Sequence, residues 1–260
     1  MLKTTAQTTI EFTLQQLVNM KELGYIIYNT EDILGKEKYL MLLNEIKQFN
    51  ENFKKNLHEK RFFLNMGHIC NEVKDQLIKL YPVEGPTILQ SSNINFEDFK
   101  KFCEVNKILN ISSPKILSKD CVDNGGMPCD FRYFNFFLKT DPMISPLLNE
   151  VHEHITYSLT GKSKKIAGHM NVYPQGSFIE PHRDKAPNRQ FLSLMFLNFG
   201  RTKEQGSLTR LLIEDDVIEI VPDISQVLVL ESDKFDYIHD VTENLSEDIR
   251  YTIYAPIEIV

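Results

Sequence analysis

The second half of this 260-residue chain is a succession of short segments in which apolar and polar residues alternate. Alternation with a period of two is typical of β-strands, and turn residues such as Pro174-Gln175-Gly176 separate most of the segments. Strands are predicted at residues 166–173, 178–182, 190–198, 207–213, 217–220, 226–230, 237–241 and 249–257. Eight short strands with regular turns favour a double-sheet jelly roll, also called a double-stranded β-helix.

The first half of the chain has helical periodicity instead, from residue 6 to about residue 110. Helices are predicted at residues 9–23, from an N-cap at Thr30 to about residue 49, at 96–106 and, beyond the first half, at 144–159. An aromatic segment, residues 131–138, is predicted as a further strand. His152 and His154 are expected to be solvated residues of the last helix, because their spacing does not place them on one face.

We therefore expect an α+β fold with a cupin-like jelly-roll core. Residues 1–125 are predicted to form a mostly helical region that packs on one sheet and serves as support or lid. Residues 126–260 are predicted to form the core, and the two regions together to make one composite domain.

Composition excludes some classes of protein. Hydrophobic residues make up 42% of the chain and charged residues 25%, which is typical of soluble globular proteins. A formal net charge of −7 disfavours nucleic acid as a partner, because phosphate contacts require a basic face. No signal-like segment and no apolar stretch of about 18 residues is visible, so we expect no membrane association.

The cysteines also bear on where the protein works. The chain has four, Cys70, Cys103, Cys121 and Cys129, and none forms a CxxC pair. Free thiols suggest a reducing compartment, so we expect a cytoplasmic protein. The sequence leaves the oligomeric state open.

One short motif carries the chemistry. His182 and Asp184 are two residues apart at the end of the second predicted strand, where positions i and i+2 project to the same face. His239 lies in the seventh predicted strand, which neighbours the second in a jelly roll. Two histidines and one carboxylate on a β scaffold form the facial triad of non-haem Fe(II) oxygenases, which leaves coordination positions open for a co-substrate and O2.

A resemblance to a known family rests on seven segments in a fixed order. They are Tyr173-Pro174-Gln175-Gly176, Pro181-His182-Arg183-Asp184, Leu194-Met195-Phe196-Leu197-Asn198, Gln205-Gly206-Ser207-Leu208, Val227-Leu228-Val229-Leu230, Ile238-His239-Asp240-Val241 and Arg250-Tyr251-Thr252. In these segments, which span about residues 165–257, the chain resembles the Fe(II)- and 2-oxoglutarate-dependent dioxygenases, and most closely their prolyl-4-hydroxylase-like branch. One departure is Gln205-Gly206 in place of a Gly-Gly pair, which leaves the conformation of that turn open.

The resemblance implies Fe(II), 2-oxoglutarate and O2 as cofactor and co-substrates, with ascorbate as a candidate reductant. His182, Asp184 and His239 would ligate the iron, and Arg250 would bind the distal carboxylate of 2-oxoglutarate. A guanidinium suits that role because its planar fork matches a carboxylate and stays charged. Thr252 and Tyr173 are expected to add co-substrate contacts, while Asp240 is expected to point away from the metal.

The substrate is the least constrained part of the prediction. We expect a hydroxylase acting on a C–H bond of a small polar substrate, such as an amino acid or a natural-product intermediate. Candidate substrate residues are His169, Asn171, Arg132 and Asn135. Two alternatives remain: a protein or peptide hydroxylase of the prolyl type, and a catalytically silent jelly-roll module that binds or senses a ligand.

Overall fold

The computed structural model describes residues 22–56, 134–137, 145–182, 191–213, 216–231 and 238–257. The helices in these residues are α1 (Thr30–Leu34), α2 (Lys36–Lys55) and α3 (Pro146–Thr160), with a short 3-10 helix at Lys203–Gln205. The strands are β1 (Tyr25–Asn29), β2 (Phe134–Phe137), β3 (His169–Tyr173), β4 (Ile179–His182), β5 (Phe191–Phe196), β6 (Thr209–Ile213), β7 (Asp216–Ile220), β8 (Gln226–Glu231), β9 (Ile238–Val241) and β10 (Arg250–Ile257).

The strands form two antiparallel sheets. The larger has six strands in the order β1-β8-β5-β10-β3-β2, and the smaller has four in the order β4-β9-β6-β7. The eight strands predicted after residue 165 are all confirmed, and the second and seventh of them, β4 and β9, are neighbours as expected. The mixed helix and antiparallel sheet class is confirmed as well.

Alternation along the strands gives the six-stranded sheet two apolar faces. Its outer face packs against the helices in a cluster that includes Ile26, Val172, Val229, Tyr251 and Ile253 from the strands and Leu42, Ile46, Phe53, Val151 and Ile155 from α2 and α3. Its inner face packs against the four-stranded sheet in a second cluster that includes Leu194, Phe196, Leu228, Leu211 and Ile220. The two sheets therefore face each other, and the helices cover one of them from outside, as predicted.

The N-terminal region differs from the prediction at its first strand. No strand was predicted at residues 25–29, which lie between two predicted helices, but they form β1, which pairs with β8 at the edge of the six-stranded sheet. The segment Tyr-Ile-Ile-Tyr supplies Ile26 and Tyr28 to the outer apolar cluster. Propensity for a helix is weak in such a segment, and pairing with a long buried strand outweighs it.

The predicted cap is also displaced by one residue. Asn29, not Thr30, caps α1, because its Oδ1 accepts hydrogen bonds from the backbone of Glu31 and Asp32 at 2.8 and 3.2 Å. Thr30 is buried and donates its hydroxyl to the carbonyl of Ile224 at 2.7 Å. Gly35, with a φ of +75°, separates α1 from α2. The predicted helices at 9–23 and 96–106 lie almost wholly outside the described residues.

Helix α3 confirms the prediction at 144–159 but corrects the environment of one histidine. Ser145 caps its N-terminus, and Gly161 ends it in the left-handed conformation. His152 was expected in solvent but is only 1% exposed. Burial lowers the pKa of His152 to about 4, so this imidazole is neutral at physiological pH. His154, by contrast, is half-buried.

Candidate functional site

The most unusual charged group in the described residues is the guanidinium of Arg250, at the first position of β10. Its side chain is only 1% exposed and points into the space between the two sheets. Its Nε donates to Thr252 Oγ1 at 2.9 Å, and its Nη1 donates to the carbonyl of Ser207 at 2.6 Å. Its Nη2 donates to Thr209 Oγ1 at 2.8 Å, so Arg250 connects the two sheets.

No carboxylate neutralises Arg250 within the described part of the chain. All three hydrogen bonds of Arg250 go to uncharged oxygens, and two of its five N–H groups have no partner among the described residues. Burial lowers the pKa of Arg250 to about 10; the hydroxyl of Tyr173 opposes this shift and the positive charge of Arg201 adds to it. The group stays charged at neutral pH, which makes the surroundings of Arg250 a candidate anion site.

Aromatic rings form the walls around this guanidinium. Arg250 Cζ lies 4.8 Å from the ring centroid of Tyr173 and 5.5 Å from that of Phe196. Such contacts stabilise a buried cation and also exclude water from it. Next along β3, Asn171 is 7% exposed and directs its Nδ2 to the hydroxyl of Tyr173 at 3.4 Å, while its Oδ1 has no partner in the described residues.

The two predicted histidine ligands meet on the opposite sheet. In the pairing of β4 with β9, His182 and His239 are direct Cα partners. The register shifts between Ile179 and His182, which indicates a β-bulge at that point. Bulges are frequent next to active sites, because they redirect the side chains that follow. His239 is 7% exposed and shares the inner face with Leu211, its partner on β6.

The histidine pair lies close to the anion site. Arg250 bonds to Thr209, and Leu211, opposite His239, is two residues further along the same strand. Two residues of β-strand span roughly 7 Å. The third predicted ligand, Asp184, lies outside the described residues, so its position relative to the histidines stays a prediction.

Asp240 is directed away from this space, as the sequence indicated. Its carboxylate accepts from Arg210 Nε at 2.8 Å and also pairs with Arg210 Nη2. Arg210 and Asp240 are direct partners in the β6–β9 register, on the face opposite to His239. The carboxylate of Asp240 is therefore engaged on the outer face of the four-stranded sheet.

The turn that receives Arg250 has a special backbone. Gly206 has a φ of +68° and Ser207 a φ of +57°. A Cβ at position 206 would lie 2.2 Å from the carbonyl oxygen of Glu243, so only glycine fits there. Positive φ therefore occurs at positions 206 and 207 of this turn, and Ser207 is the one of the two that is not glycine.

The remaining predicted substrate residues occupy one strip of the six-stranded sheet. His169 stacks on Tyr254 with ring centroids 4.8 Å apart and an angle of 15° between the planes, and both rings are half-buried. Position 135 on β2 is the Cα partner of Asn171. Thr252 is the partner of Asn171 on the other side. Arg132 lies outside the described residues.

Sequence reasoning missed four residues that surround Arg250. Thr209 and Ser207 provide its acceptors from the other sheet, and Arg201 and Asn244 form a buried hydrogen-bonded pair behind it. A threonine at the start of a strand gives no signal by itself, because its role depends on which strand faces it. The sequence also does not predict a positive φ at Ser207, although the neighbouring Gly206 indicates a turn there.

With this geometry in place, comparison with solved structures identifies the fold. A prolyl hydroxylase from Trichoplax adhaerens, solved with a peptide fragment of the hypoxia inducible factor oxygen degradation domain, matches 97% of this chain and 94% of its own at 15% identity, with a TM-score of 0.52. The chain therefore has the fold of a prolyl hydroxylase, and the resemblance to that branch of oxygenases is confirmed for the fold.

Two further structures are similar over parts or all of the chain. A Pseudomonas putida prolyl-4-hydroxylase matches 46% of this chain and 71% of its own at 17% identity, with a TM-score of 0.38. A Burkholderia pseudomallei oxidoreductase of the 2OG-Fe(II) oxygenase family matches 96% and 95% at 10% identity, with a TM-score of 0.39. The fold assignment rests on the Trichoplax enzyme alone.

Comparison of the sequence itself gives no relative. No protein-family model matches the chain, and no curated protein matches it. Within the described residues, no helix combines the length and hydrophobicity that crossing a membrane requires.

Proposed function

We propose that this protein is an Fe(II)- and 2-oxoglutarate-dependent oxygenase that hydroxylates a C–H bond of a small polar substrate. The observation that carries the proposal is the buried guanidinium of Arg250, which has no carboxylate partner in the described residues. An uncompensated buried charge costs about 3–5 kcal/mol, so a fold that keeps one is expected to use it for an anionic ligand.

The size of the site favours a dicarboxylate. One carboxylate on Arg250 would leave the other end of the ligand to extend by roughly 7 Å toward the level of His239. The keto-acid end of 2-oxoglutarate suits that position, because it can chelate a metal. Thr252 and Tyr173 line the route, and the hydroxyl of Thr252 keeps its own proton to donate to the carboxylate.

The residues on the other sheet suit a metal. His182 and His239 are direct partners, which is a backbone arrangement that allows both to bind one ion. We propose that His182, Asp184 and His239 hold Fe(II), with Asp184 just beyond the end of β4. When bound, the metal would couple oxidative decarboxylation of 2-oxoglutarate to insertion of oxygen into a substrate C–H bond. The protein's part is to bind, orient and exclude water.

The topology supports a double-stranded β-helix with one open end. The order of the eight core strands within the two antiparallel sheets is compatible with this architecture. Burial decreases along the inner face of β10, from Arg250 at 1% exposed and Thr252 at 2% to the half-buried Tyr254. We propose that the pocket closes at Arg250 and opens at the His169–Tyr254 stack, where the substrate would enter.

Peptide hydroxylation is the second candidate. It is favoured by the likeness, over nearly the whole of both chains, to a prolyl hydroxylase solved with a peptide. A silent binding module is the third, and the complete set of candidate ligand residues weighs against it. Succinate release with Fe(II), ascorbate and 2-oxoglutarate would exclude the silent module, and comparing turnover on amino acids with turnover on proline-containing peptides would separate the other two.

The decisive experiment removes the guanidinium. Arg250→Ala should weaken 2-oxoglutarate binding by about 30-fold or more, since losing one partner of a buried charge pair costs on the order of 2–5 kcal/mol. Calorimetric titration of the Mn(II)-loaded protein measures this. Arg250→Lys should bind 2-oxoglutarate poorly as well, because lysine lacks the planar fork, whereas Arg210→Lys on the outer face should leave binding unchanged. Binding by Arg250→Ala within threefold of wild type would refute the role of Arg250.

The metal needs a separate test. His182→Ala should lose most of its affinity for Mn(II), measured by calorimetry without 2-oxoglutarate, while its melting temperature stays near that of wild type. A metal affinity in this variant equal to that of wild type would mean that the metal, if any, binds elsewhere.

A further inference from the structure

Behind the anion site lies a buried amide whose hydrogen-bonding capacity is full. Asn244, in the loop between β9 and β10, is 0% exposed. Its Nδ2 donates to the carbonyl oxygens of Tyr173 and Asp248, both at 2.9 Å. Its Oδ1 accepts from Arg201 Nη2 at 2.7 Å and from the backbone of Ser246 at 3.2 Å. The partners fix the orientation of the amide, because carbonyls only accept and the other two groups only donate.

The backbone of Asn244 connects the same surroundings. Its N–H donates to the carbonyl of Ser177 at 2.9 Å, and its own carbonyl accepts from Gly176 at 2.8 Å. It also forms an isolated β-bridge with Gly206. Asn244 therefore joins the turn after β3, the turn before β6 and the loop before β10.

These segments hold two of the groups that contact the guanidinium of Arg250. The ring of Tyr173 lies against Arg250, and the carbonyl of the same residue accepts from Asn244. The carbonyl of Ser207 accepts from Arg250, and the neighbouring Gly206 is bridged to Asn244. These two supports of the guanidinium are thus one residue or less from a contact with Asn244, whereas Thr209 and Thr252 hold it from β6 and β10.

We propose that Asn244 is a positioning residue for the carboxylate-binding guanidinium of Arg250, and that it sets the affinity of this enzyme for its dicarboxylate co-substrate without touching it. The inference rests on the proposed function, since it presumes that Arg250 binds 2-oxoglutarate. A displacement of the buried guanidinium by a fraction of an ångström lengthens both hydrogen bonds of a bidentate contact with a carboxylate. Small shifts of the residues that hold the guanidinium are therefore expected to lower the affinity for that carboxylate.

Two variants separate the parts of this role. Asn244→Asp has the same shape and still accepts from Arg201 and Ser246, but it cannot donate to the carbonyl of Tyr173. It removes both hydrogen bonds that Nδ2 donates, to the carbonyls of Tyr173 and Asp248, and it should fold, because the new carboxylate pairs with Arg201. Asn244→Ala removes both the hydrogen bonds that the side-chain amide donates and those that it accepts. Asn149→Ala is the matched control: it removes an asparagine whose Oδ1 accepts from Ile166 at 3.0 Å, on α3 and away from the pocket.

The measurements are the Kd for 2-oxoglutarate of the Mn(II)-loaded protein, the Kd for Mn(II) alone, the melting temperature, and KM and kcat for 2-oxoglutarate in the Fe(II) enzyme. Asn244→Asp should weaken 2-oxoglutarate by about tenfold and raise its KM similarly. Its affinity for Mn(II) and its kcat at saturating 2-oxoglutarate should stay within about twofold of wild type. Asn149→Ala should lower the melting temperature and leave both Kd values unchanged.

The outcomes distinguish this inference from the proposal beneath it. If wild type and Arg250→Ala behave as proposed but both Asn244 variants bind 2-oxoglutarate as wild type does, the positioning role is wrong and the proposed function stands. A loss of Mn(II) affinity equal to the loss of 2-oxoglutarate affinity would show a general structural role instead. If wild type binds no 2-oxoglutarate, both are overturned.

Discussion

At the scale of single residues, this protein keeps polar groups in places where burial makes them costly. Arg250 is a buried cation with neutral partners in the described structure, and His152 is a buried imidazole whose Nδ1 has no partner there. Ser207 combines a positive φ with a buried hydroxyl that likewise lacks a described partner. Arg250 and Ser207 lie in the anion site, where strain is often retained for function. His152 lies on α3, which packs on the outer face of the six-stranded sheet.

His152 should make the protein sensitive to acid. Its pKa is about 4 in the folded state, lowered by burial from a usual value of 6.5. Above pH 6.5 the imidazole is neutral in both states and contributes nothing. Below it, only the unfolded state takes up the proton, so stability falls with pH by about 1.4 kcal/mol per unit until pH 4, in all by about 3 kcal/mol. Urea unfolding between pH 4 and pH 8 measures this slope.

His152→Gln should remove most of that dependence. His154→Gln serves as the control, because His154 is less buried and should contribute a smaller part of the slope. Equal slopes in wild type and His152→Gln would mean that other groups govern acid unfolding.

Ser207 should be replaceable with a gain in stability. Ser207→Gly relieves the positive φ and removes the unpartnered hydroxyl, which together should raise the free energy of unfolding by about 1 kcal/mol. Ser207→Ala removes the hydroxyl but keeps the backbone strain, so it should gain less. Unfolding of wild type and the two variants in guanidinium chloride gives the order of their stabilities. If Ser207→Ala were as stable as Ser207→Gly, the whole destabilisation would come from the buried hydroxyl.

At the scale of elements, the site depends on connections more than on strands. The strands bring positions into register, but the turn at 203–207 and the loop at 242–249 decide where the acceptors of Arg250 lie. Three backbone hydrogen bonds join them: Ser207 to Glu243 at 2.9 Å, Leu245 to Gln205 at 3.0 Å and Thr242 to Leu208 at 2.9 Å. A change in either segment is therefore expected to reach the anion site through the other.

Two glycines test how closely these segments are packed. Gly206 and Gly161 both have positive φ, but a Cβ on Gly206 would overlap the Glu243 carbonyl, whereas Gly161 has nothing within 4 Å. Gly161→Ala should cost about 1 kcal/mol for the backbone alone, while Gly206→Ala should cost at least about 3 kcal/mol and weaken 2-oxoglutarate as well. Unfolding curves and 2-oxoglutarate titrations of both variants provide the comparison. Similar losses of stability in both variants would show that the loop containing Glu243 moves at little cost to accommodate a Cβ at position 206.

At the scale of the whole molecule, the two faces of the six-stranded sheet have different packing partners. The outer face packs on α2 and α3 and holds the fold, while the inner face and the four-stranded sheet enclose the site. Residues 22–56 belong to the support, since β1 extends the large sheet and α2 covers it. The proposed division near residue 125 and the proposed lid concern residues outside the described part of the chain.

Ligands that join the two sheets should stabilise the molecule as a unit. Mn(II) followed by 2-oxoglutarate at about 100 times its Kd should add about 2.7 kcal/mol, which raises the melting temperature by about 5–10 °C for a chain of this size. Differential scanning fluorimetry measures the shift. 2-Oxobutanoate has the same keto-acid end but no distal carboxylate, so it should give a smaller shift, and Arg250→Ala should not distinguish the two ligands. Equal shifts in wild type would contradict the carboxylate role of Arg250.

The sequence by itself determined much of the local structure and suggested which residues are candidates for chemistry. Alternation and turn residues predicted all eight core strands, because a strand with one buried face must alternate. The helix at 144–159 followed from its apolar stripe in the same way. His182, Asp184, His239, Arg250 and Thr252 were proposed from residue type, spacing and the family resemblance, which are properties of the chain alone, and their roles stay predictions.

Only the tertiary structure decided which groups meet. Residues 25–29 became a strand because β8 offered an edge to pair with, and His152 became buried because its helix lies on a sheet that the local sequence does not reveal. The partners of Arg250 come from positions 207, 209 and 252, and two of its supports, Tyr173 and Ser207, lie at or next to contacts of Asn244. Contacts between residues about 40 or more positions apart depend on how the two sheets face each other. Local periodicity carries no information about which residues that are distant in the sequence come into contact.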